Sequence, residues 1–204
     1  MSLALSLQAL PADCGIAGKA RRDPLFAESV QFLPHWFAYD SPAPARIGEK
    51  RQGATDPAWD WCCALAGRHA GLGARGCDLG VYWGALRFLL CPSWRAEPEG
   101  PDEASLSLLF GGGEAVAPDA VSTQGIPVRL LPLDRMADIA RCLAARPSAS
   151  LSAHLDVCAM TAAGVYKATE QREWCEAVAA RYASLRTFCG AAAARGDLAI
   201  ACMV

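Results

Sequence analysis

Two pairs of histidine and cysteine side chains are spaced so that each could act as one chemical unit. His154 and Cys158 stand four residues apart, and Cys62 and His69 stand seven apart, so each pair could share one side of a helix. Such a pair could supply a thiolate with its base, or two ligands to a metal ion. Zinc needs three or four ligands, and no third partner is spaced to join either pair. A packing thiol beside a surface imidazole is therefore the favoured interpretation, and no metal site is predicted.

A glycine pattern that could approach a phosphate group runs from Gly71 to Gly76 and matches G-x-G-x-x-G. This spacing binds a pyrophosphate when it follows a strand and opens a helix. Here the preceding residues, from Pro57 to about His69, are themselves predicted to form a helix. The context therefore favours a flexible, glycine-rich break over 71–80, and we predict no nucleotide or other cofactor.

Acidic side chains that could act as an acid and base pair occur in two groups. Asp134 and Asp138 share one face of a predicted helix. The second group lies in a segment predicted to be a loop and comprises Glu97, Glu99, Asp102 and Glu103. Carboxylates divide into an acid and a base only where burial separates their pKa values, and both groups are predicted to be solvated. No catalytic residue is assigned.

Composition limits the classes of protein to which the chain could belong. Its 204 residues are predicted to form one domain over residues 1–204. With 19 basic and 21 acidic residues and no basic run, neither nucleic acid nor a membrane is a predicted partner. An export signal needs a Lys or Arg before its apolar segment, and the apolar segment at the start of this sequence has none. The predicted location is therefore the cytoplasm. The ten cysteines are accordingly predicted to be mostly reduced, packing thiols.

The clearest structural pattern lies near the end of the chain. Apolar residues recur at helical spacing from Trp174 to Ala192, and Gly196 is placed to end that helix in a left-handed conformation. The segment 198–204 is apolar on both faces, which predicts a central strand covered on both sides. Near the start, leucines alternate with small or polar residues over 2–8, and this period of two predicts the first strand.

The middle of the chain is predicted to be mostly helical. One short helix should begin after Asp23, and others should cover 81–90, 136–143 and 150–158, with a short strand over 128–131. The triplet from Gly111 to Gly113 predicts a flexible turn. About four strands among six or seven helices indicate a helix-rich α+β fold.

Several short blocks lie in an order that resembles a known family. These blocks are Trp83 to Leu90, Leu109 to Gly112, Ile139 with Ala140, Ala162 to Tyr166, Leu185 to Phe188 and Arg195 to Asp197. In this order they resemble the landmarks of the YfbM-like proteins, a bacterial family of uncharacterised function. The resemblance implies a single helix-rich α+β domain with helices on both faces of a small mixed sheet. It implies no known activity, and the segment 41–80 has no counterpart, which predicts an insertion.

The same part of the chain contains the residues that we single out for binding, namely Trp83, Arg87, Gly112, Glu114 and Tyr166. An arginine four residues after a tryptophan can stack on its ring or turn the guanidinium fork outward. A glycine-rich turn beside a tyrosine could admit the backbone of a partner. Packing into the core is the competing and favoured explanation, because tryptophan and tyrosine bury large apolar areas in any domain.

The leading hypothesis for function is a non-enzymatic binding or protein-interaction module of the bacterial cytoplasm, of the immunity or regulatory type. It is motivated by the lack of a nucleophile elbow, a P-loop or a metal-binding cluster in the sequence. The alternative is an enzyme or small-molecule-binding protein with a pocket near Trp83, Arg87 and Tyr166. A deep cavity with convergent polar groups would favour this alternative, and a flat, packed surface would favour the interaction module.

Overall fold

A five-stranded β-sheet forms the centre of the computed structural model, which describes residues 3–38, 57–93, 96–148, 151 and 155–203. The strands are β1 (Leu5–Pro11), β2 (Gly76–Gly80), β3 (Glu114–Ala115), β4 (Arg129–Leu131) and β5 (Asp197–Met203). The described helices are α1 (Ile16–Arg22), α2 (Pro24–Ser29), α3 (Leu33–Ala38), α4 (Pro57–Arg68), α5 (Trp83–Leu90), α6 (Pro101–Ser107), α7 (Leu133–Ala144), α8 (Val157–Ala162) and α9 (Arg172–Arg195). Short 3-10 turns cover Val30–Phe32, Leu72–Arg75 and Leu108–Phe110.

The strands lie in the order β2-β1-β5-β4-β3, and each neighbouring pair is antiparallel. The longest pairing joins β1 to β5, from Leu5 opposite Met203 to Pro11 opposite Asp197. The predicted α+β class is confirmed, but the expected mixed sheet is wrong. A strand that is apolar on both faces is typical of parallel sheets. Here helices cover both faces of an antiparallel sheet. The apolar pattern therefore indicates that both faces are buried, and it does not indicate whether the strand is parallel or antiparallel to its neighbours.

Side-chain alternation along the central strands divides the core into two layers. Leu7 of β1 and Ala201 of β5 pack in the first layer, with helices α5, α6, α7 and α9. Ile200 and Cys202 of β5 pack in the second layer, with helices α1 to α4. Helices therefore cover the sheet on both faces, as the sequence predicts. Within the described ranges, no helix combines the length and apolar character needed to cross a bilayer.

Helix α9 and strand β5 confirm the predictions made for the end of the chain. One face of α9 is buried, and its largest fully buried side chain, Tyr182, donates a hydrogen bond to the carbonyl of Arg146 at 2.6 Å. Gly196 ends the helix with φ 68°, a left-handed conformation that favours glycine. Strand β5 follows at once and lies third of the five strands, with Val204 outside the described residues.

The segment 71–80 differs from the predicted glycine-rich break. A 3-10 turn covers Leu72–Arg75 and leads into β2, an edge strand that pairs with β1. Glycines at both ends of β2 hide its strand pattern, since glycine is unfavourable in strands. The turn leads into a strand and not into a helix, so the G-x-G-x-x-G segment lacks the context of a dinucleotide site.

Two other boundaries differ from the predictions. The helix predicted over 150–158 is interrupted: residue 151 is helical, residues 155 and 156 are not, and α8 begins at Val157, where Asp156 accepts a hydrogen bond from the Ala159 amide at 2.9 Å. Residues 149–150 and 152–154 of this region lie outside the described residues. Helix α6 begins at Pro101, inside the segment predicted to be a loop, because proline is well suited to a first helical position.

Candidate functional site

Two of the five predicted binding residues share a pocket. Arg87 of α5 and Gly112 line a space of about 270 Å³, together with Ser93, Glu103 and Ser107, which we call the Arg87 pocket. Trp83, Glu114 and Tyr166 are not part of its wall. The structure thus brings together the arginine and the glycine turn, and places the other three residues elsewhere.

The other three predicted residues have separate surroundings. The Trp83 ring is half-buried against the first layer, and its Nε1 donates to the Leu3 carbonyl at 3.0 Å. Tyr166 is 46% exposed on the turn before α9, with the Lys167 ammonium 5.1 Å from its ring centre. Lys167 has φ 54°, a left-handed conformation that is uncommon outside glycine. Glu114 is exposed on the edge strand β3.

The glycines at 111–113 form the predicted turn, and backbone conformation and close packing explain them. Gly111 has φ +105°, which side-chain-bearing residues rarely adopt. A Cβ at Gly112 would lie 3.2 Å from the Ser107 carbonyl oxygen, and one at Gly113 would lie 2.6 Å from the Leu130 carbonyl oxygen. Packing alone therefore explains why residue 112 is a glycine, and no binding role is needed to account for it.

The predicted solvated carboxylates divide into exposed and buried ones. The Asp134 and Asp138 side chains are 74% and 44% exposed, as predicted. Glu103 is 6% exposed, so the prediction is wrong for this residue. Its carboxylate accepts hydrogen bonds from the Ser93 amide at 2.7 Å, the Glu99 amide at 3.0 Å and the Ser93 hydroxyl at 3.2 Å. Glu103 was missed because its donors are mostly backbone groups, which sequence patterns do not reveal.

Replacing Glu103 by alanine is expected to destabilise the protein by about 1–3 kcal/mol, because two amide groups lose their acceptor. Urea-induced unfolding followed by circular dichroism measures this change. The matched control is Glu97→Ala, since Glu97 is exposed on the same segment and should change stability by less than about 0.5 kcal/mol. Equal effects of both substitutions would show that the buried hydrogen bonds of Glu103 do not hold the segment.

Burial keeps most of the thiols protonated. Seven of the ten free cysteines are buried, which confirms the prediction of packing thiols for these positions: Cys14, Cys62, Cys77, Cys91, Cys142, Cys189 and Cys202. Burial raises the pKa of Cys77 to about 12 and that of Cys91 to about 11, and it also raises the pKa of Cys202. Such thiols are poor nucleophiles at neutral pH.

The predicted histidine and cysteine pairs do not form a described site. His154 lies outside the described residues, and Cys62 is buried in the second layer while His69 is half-exposed. In the part of the chain that the structure describes, no three His, Cys, Asp or Glu side chains are grouped to hold a metal ion.

Cys158 is the exposed thiol among the ten, and it should react first with a thiol reagent. The Glu170 carboxylate, 3.7 Å from its sulfur, raises the pKa of Cys158, so the reaction should become fast only above the pH at which an ordinary thiol ionises. Titration of the native protein with a disulfide reagent at several pH values measures this. Glu170→Gln should speed the reaction at pH 8, and Cys158→Ser should remove the fast phase. Rapid reaction of all ten thiols would contradict the buried positions.

A second cavity, of about 640 Å³, was not predicted from the sequence. It lies between the second face of the sheet and the turn Val30–Phe32 with helix α3, and we call it the sheet cavity. Its floor includes Asp78, Ser6 and Cys202, which form one row across β2, β1 and β5 because Ser6 pairs with both of the others. Gln31, Phe32 and His35 contribute the opposite wall.

Hydrogen bonds hold both walls of the sheet cavity in place. The Ser6 hydroxyl donates to Asp78 Oδ1 at 3.3 Å, and the Gly80 amide donates to the same oxygen at 2.8 Å. On the opposite wall, Gln31 Oε1 accepts from the Thr123 amide at 2.7 Å, and Gln31 Nε2 donates to the Glu28 carbonyl at 3.1 Å. The polar groups around the cavity are therefore fixed before any ligand arrives.

A glycine on the edge strand lines the sheet cavity and packs against a buried glutamine. Gly76 of β2 lines the cavity, and a Cβ there would lie 3.3 Å from Gln8 Oε1. Gln8 is fully buried, and its Nε2 donates to the Leu72 carbonyl at 3.0 Å, which ties the turn before β2 to β1. A weak signal for this site exists in the sequence, since Ser6, Gln8 and Asp78 are polar residues on otherwise apolar strands.

Comparisons with known proteins give a family but no activity. The chain matches the family described as Domain of unknown function (DUF1877) over residues 63–202, which is more than half of its 204 residues. Searches of curated proteins and of solved structures found no similar protein. The match contains the whole Arg87 pocket, whereas strand β1, the turn Val30–Phe32 and helix α3, which help to form the sheet cavity, precede it. The chain belongs to the DUF1877 family of domains of unknown function.

Proposed function

We propose that this protein is a non-enzymatic binding domain whose small-molecule ligand occupies the sheet cavity. The observation that carries the proposal is the size and lining of this cavity. Its volume of about 640 Å³ lies in the range of about 300–1,000 Å³ that is usual for ligand pockets. Its walls combine apolar groups with a few polar side chains on rigid strands, an arrangement that fixes the orientation of a ligand.

The hydrogen bonds around Ser6 support binding rather than catalysis. Ser6, His35 and Asp78 all line the sheet cavity, and these are the residue types of a hydrolytic triad. In a triad, however, the histidine lies between the serine and the acid. Here Ser6 donates directly to Asp78, so its hydroxyl is not held against an imidazole base. The buried Cys202 thiol is protonated, because burial raises its pKa.

A thermal denaturation screen against a library of metabolites tests the proposal. We expect at least one compound to raise the melting temperature of the native protein. Ser6→Leu, which fills the sheet cavity, should abolish this shift. The matched control is Ser107→Leu, which fills the Arg87 pocket and should leave the shift unchanged. Loss of the shift in Ser107→Leu alone would move the site to the Arg87 pocket, and no shift with any compound would refute ligand binding.

A second candidate function is the recognition of another protein through the turn at Tyr166. The supporting observation is that Tyr166 is 46% exposed beside Lys167, whose left-handed backbone is unusual for a lysine. Exposed aromatic side chains are frequent anchors at protein interfaces. Capture of a partner from the native host by the unaltered protein, and its loss with Tyr166→Ala but not with Arg87→Ala, would favour this function.

We also propose finer features of classification and location. The blocks that resemble the YfbM-like proteins run from 83 to 197 and lie inside the matched region 63–202, which supports a YfbM-like, bacterial origin. A single domain over 1–204 with an insertion at about 41–80, a cytoplasmic location and the lack of a nucleic-acid partner remain proposals. Fractionation of the host cell followed by immunoblotting tests the location.

A further inference from the structure

The side chains around the sheet cavity carry charge of mainly one sign. The lining residues, all within the described ranges, include Asp78 and His35 but no lysine and no arginine. Arg181 is close to Asp78, and its Nη1 donates to the Asp78 backbone carbonyl at 2.7 Å. Arg181 belongs to α9, however, and this helix packs on the opposite face of the sheet. An anionic ligand would meet the exposed Asp78 carboxylate, and the His35 imidazole is the only lining side chain that could carry a compensating positive charge, so the cavity should disfavour phosphates and carboxylates.

The Asp78 carboxylate keeps capacity for a ligand. Both hydrogen bonds that it receives, from the Ser6 hydroxyl and the Gly80 amide, end on Oδ1. Among the described residues, none donates to Oδ2. A carboxylate can accept about four hydrogen bonds. The bonds to Oδ1 fix the orientation of the group, and Oδ2 is the atom that a donor on a ligand would reach.

An apolar surface faces this carboxylate across the cavity. Phe32 is 36% exposed, and its ring stacks on Trp36 with 5.9 Å between ring centres, which holds it in position. Pro34 adds a second apolar group to the same wall. An aromatic ring attracts apolar groups to its face and is also compatible with a nearby cation.

From the carboxylate and the aromatic wall together, we infer that the sheet cavity binds a protonated amine carried on an apolar or aromatic body. The ammonium group donates to Asp78 Oδ2, and the body packs against Phe32 and Pro34. This inference rests on the proposed function, because it names the ligand class of the same site. Hydrogen bonds between charged groups are the stronger ones, so the amine should dominate recognition.

Three probes that share a phenethyl skeleton test the charge preference. They are phenethylamine, phenylacetate and phenethyl alcohol, which are cationic, anionic and neutral at pH 7. Isothermal titration calorimetry of the native protein should show phenethylamine binding at least about tenfold more tightly than the alcohol, and no binding of phenylacetate. Asp78→Asn should weaken amine binding by about 10-fold to 100-fold and leave the alcohol unchanged.

The controls separate the inference from the function on which it rests. Asp134→Asn removes an exposed carboxylate from α7 and should not alter amine binding. Unfolding by urea should show that Asp78→Asn is folded, because asparagine retains the oxygen that accepts from Gly80.

If alcohol or phenylacetate binds as tightly as the amine and Ser6→Leu abolishes that binding, the cavity is a ligand site but the amine inference is overturned. If none of the three probes binds while a library compound that carries no amine does, and Ser6→Leu abolishes that binding, the amine inference is likewise overturned. If neither the probes nor the library bind, both proposals fall.

Discussion

Replacing Asp197 by alanine is expected to destabilise the protein by about 2–4 kcal/mol. The Asp197 side chain is 4% exposed at the start of β5. Its oxygens accept from Arg75 Nη1 at 3.3 Å and from Arg195 Nε at 2.7 Å. Without the carboxylate, two guanidinium groups face each other at the end of the central strand, and the partly buried charge of Arg75 loses its counter-charge.

Urea-induced unfolding of the unaltered and substituted proteins measures the effect at Asp197. Asp134→Ala provides the matched control, because the Asp134 side chain is 74% exposed and its ion pair with Arg135 spans 3.7 Å. Exposed pairs of this kind contribute roughly 0–1 kcal/mol. A loss at Asp197 no larger than that at Asp134 would mean that the two arginines are adequately solvated without the acid.

The second large effect is expected at Gly113. A Cβ at this position would lie 2.6 Å from the Leu130 carbonyl oxygen, and Arg129 Nη1 donates to the Gly113 carbonyl at 3.0 Å. The backbone cannot retreat without breaking the pairing of Glu114 with Leu130. Gly113→Ala should therefore cost about 1–3 kcal/mol and separate β3 from β4.

Gly190→Ala is the matched control for Gly113→Ala. Gly190 lies within α9, and apart from its chain neighbours and the nearby backbone of the same helix no atom lies within 4 Å of its Cβ position. Alanine should stabilise the helix there by about 0.5–1 kcal/mol, because it is the better helix former. The same substitution is thus expected to have opposite signs at the two glycines, and thermal unfolding of both variants would show this. A loss of similar size at both positions would contradict the packing described for Gly113.

Elements with a long, consistent pattern could be predicted from the sequence. Helix α9 has a buried face from Trp174 to Ala192, about five turns, and Gly196 marks its end, so the helix follows from spacing and from a single conformational preference. Strand β2 could not be predicted, because Gly76 and Gly80 obscure the alternation of Cys77 and Leu79. The apolar pattern also could not predict whether the strands are parallel or antiparallel, since apolar residues on both faces occur wherever both faces are covered.

The candidate site could be predicted only in part, because it depends on distant pairings. Arg87 and Gly112 were recognised through a resemblance, and they do share a pocket. The sheet cavity needs the register that places Ser6 opposite both Asp78 and Cys202, together with helix α3 above them. No local motif encodes that register, so the polar residues on the strands are a weak signal that does not by itself locate the cavity.

The pairing of β1 with β5 has a consequence for how the protein is made. Leu5 lies opposite Met203, so two neighbouring strands at the centre of the sheet are synthesised at widely separated times. A nascent chain can form its helices early, but it cannot complete the sheet until residue 203 has left the ribosome. Contacts of such long sequence separation slow folding, and the apolar faces of the waiting helices stay open to chaperones during translation.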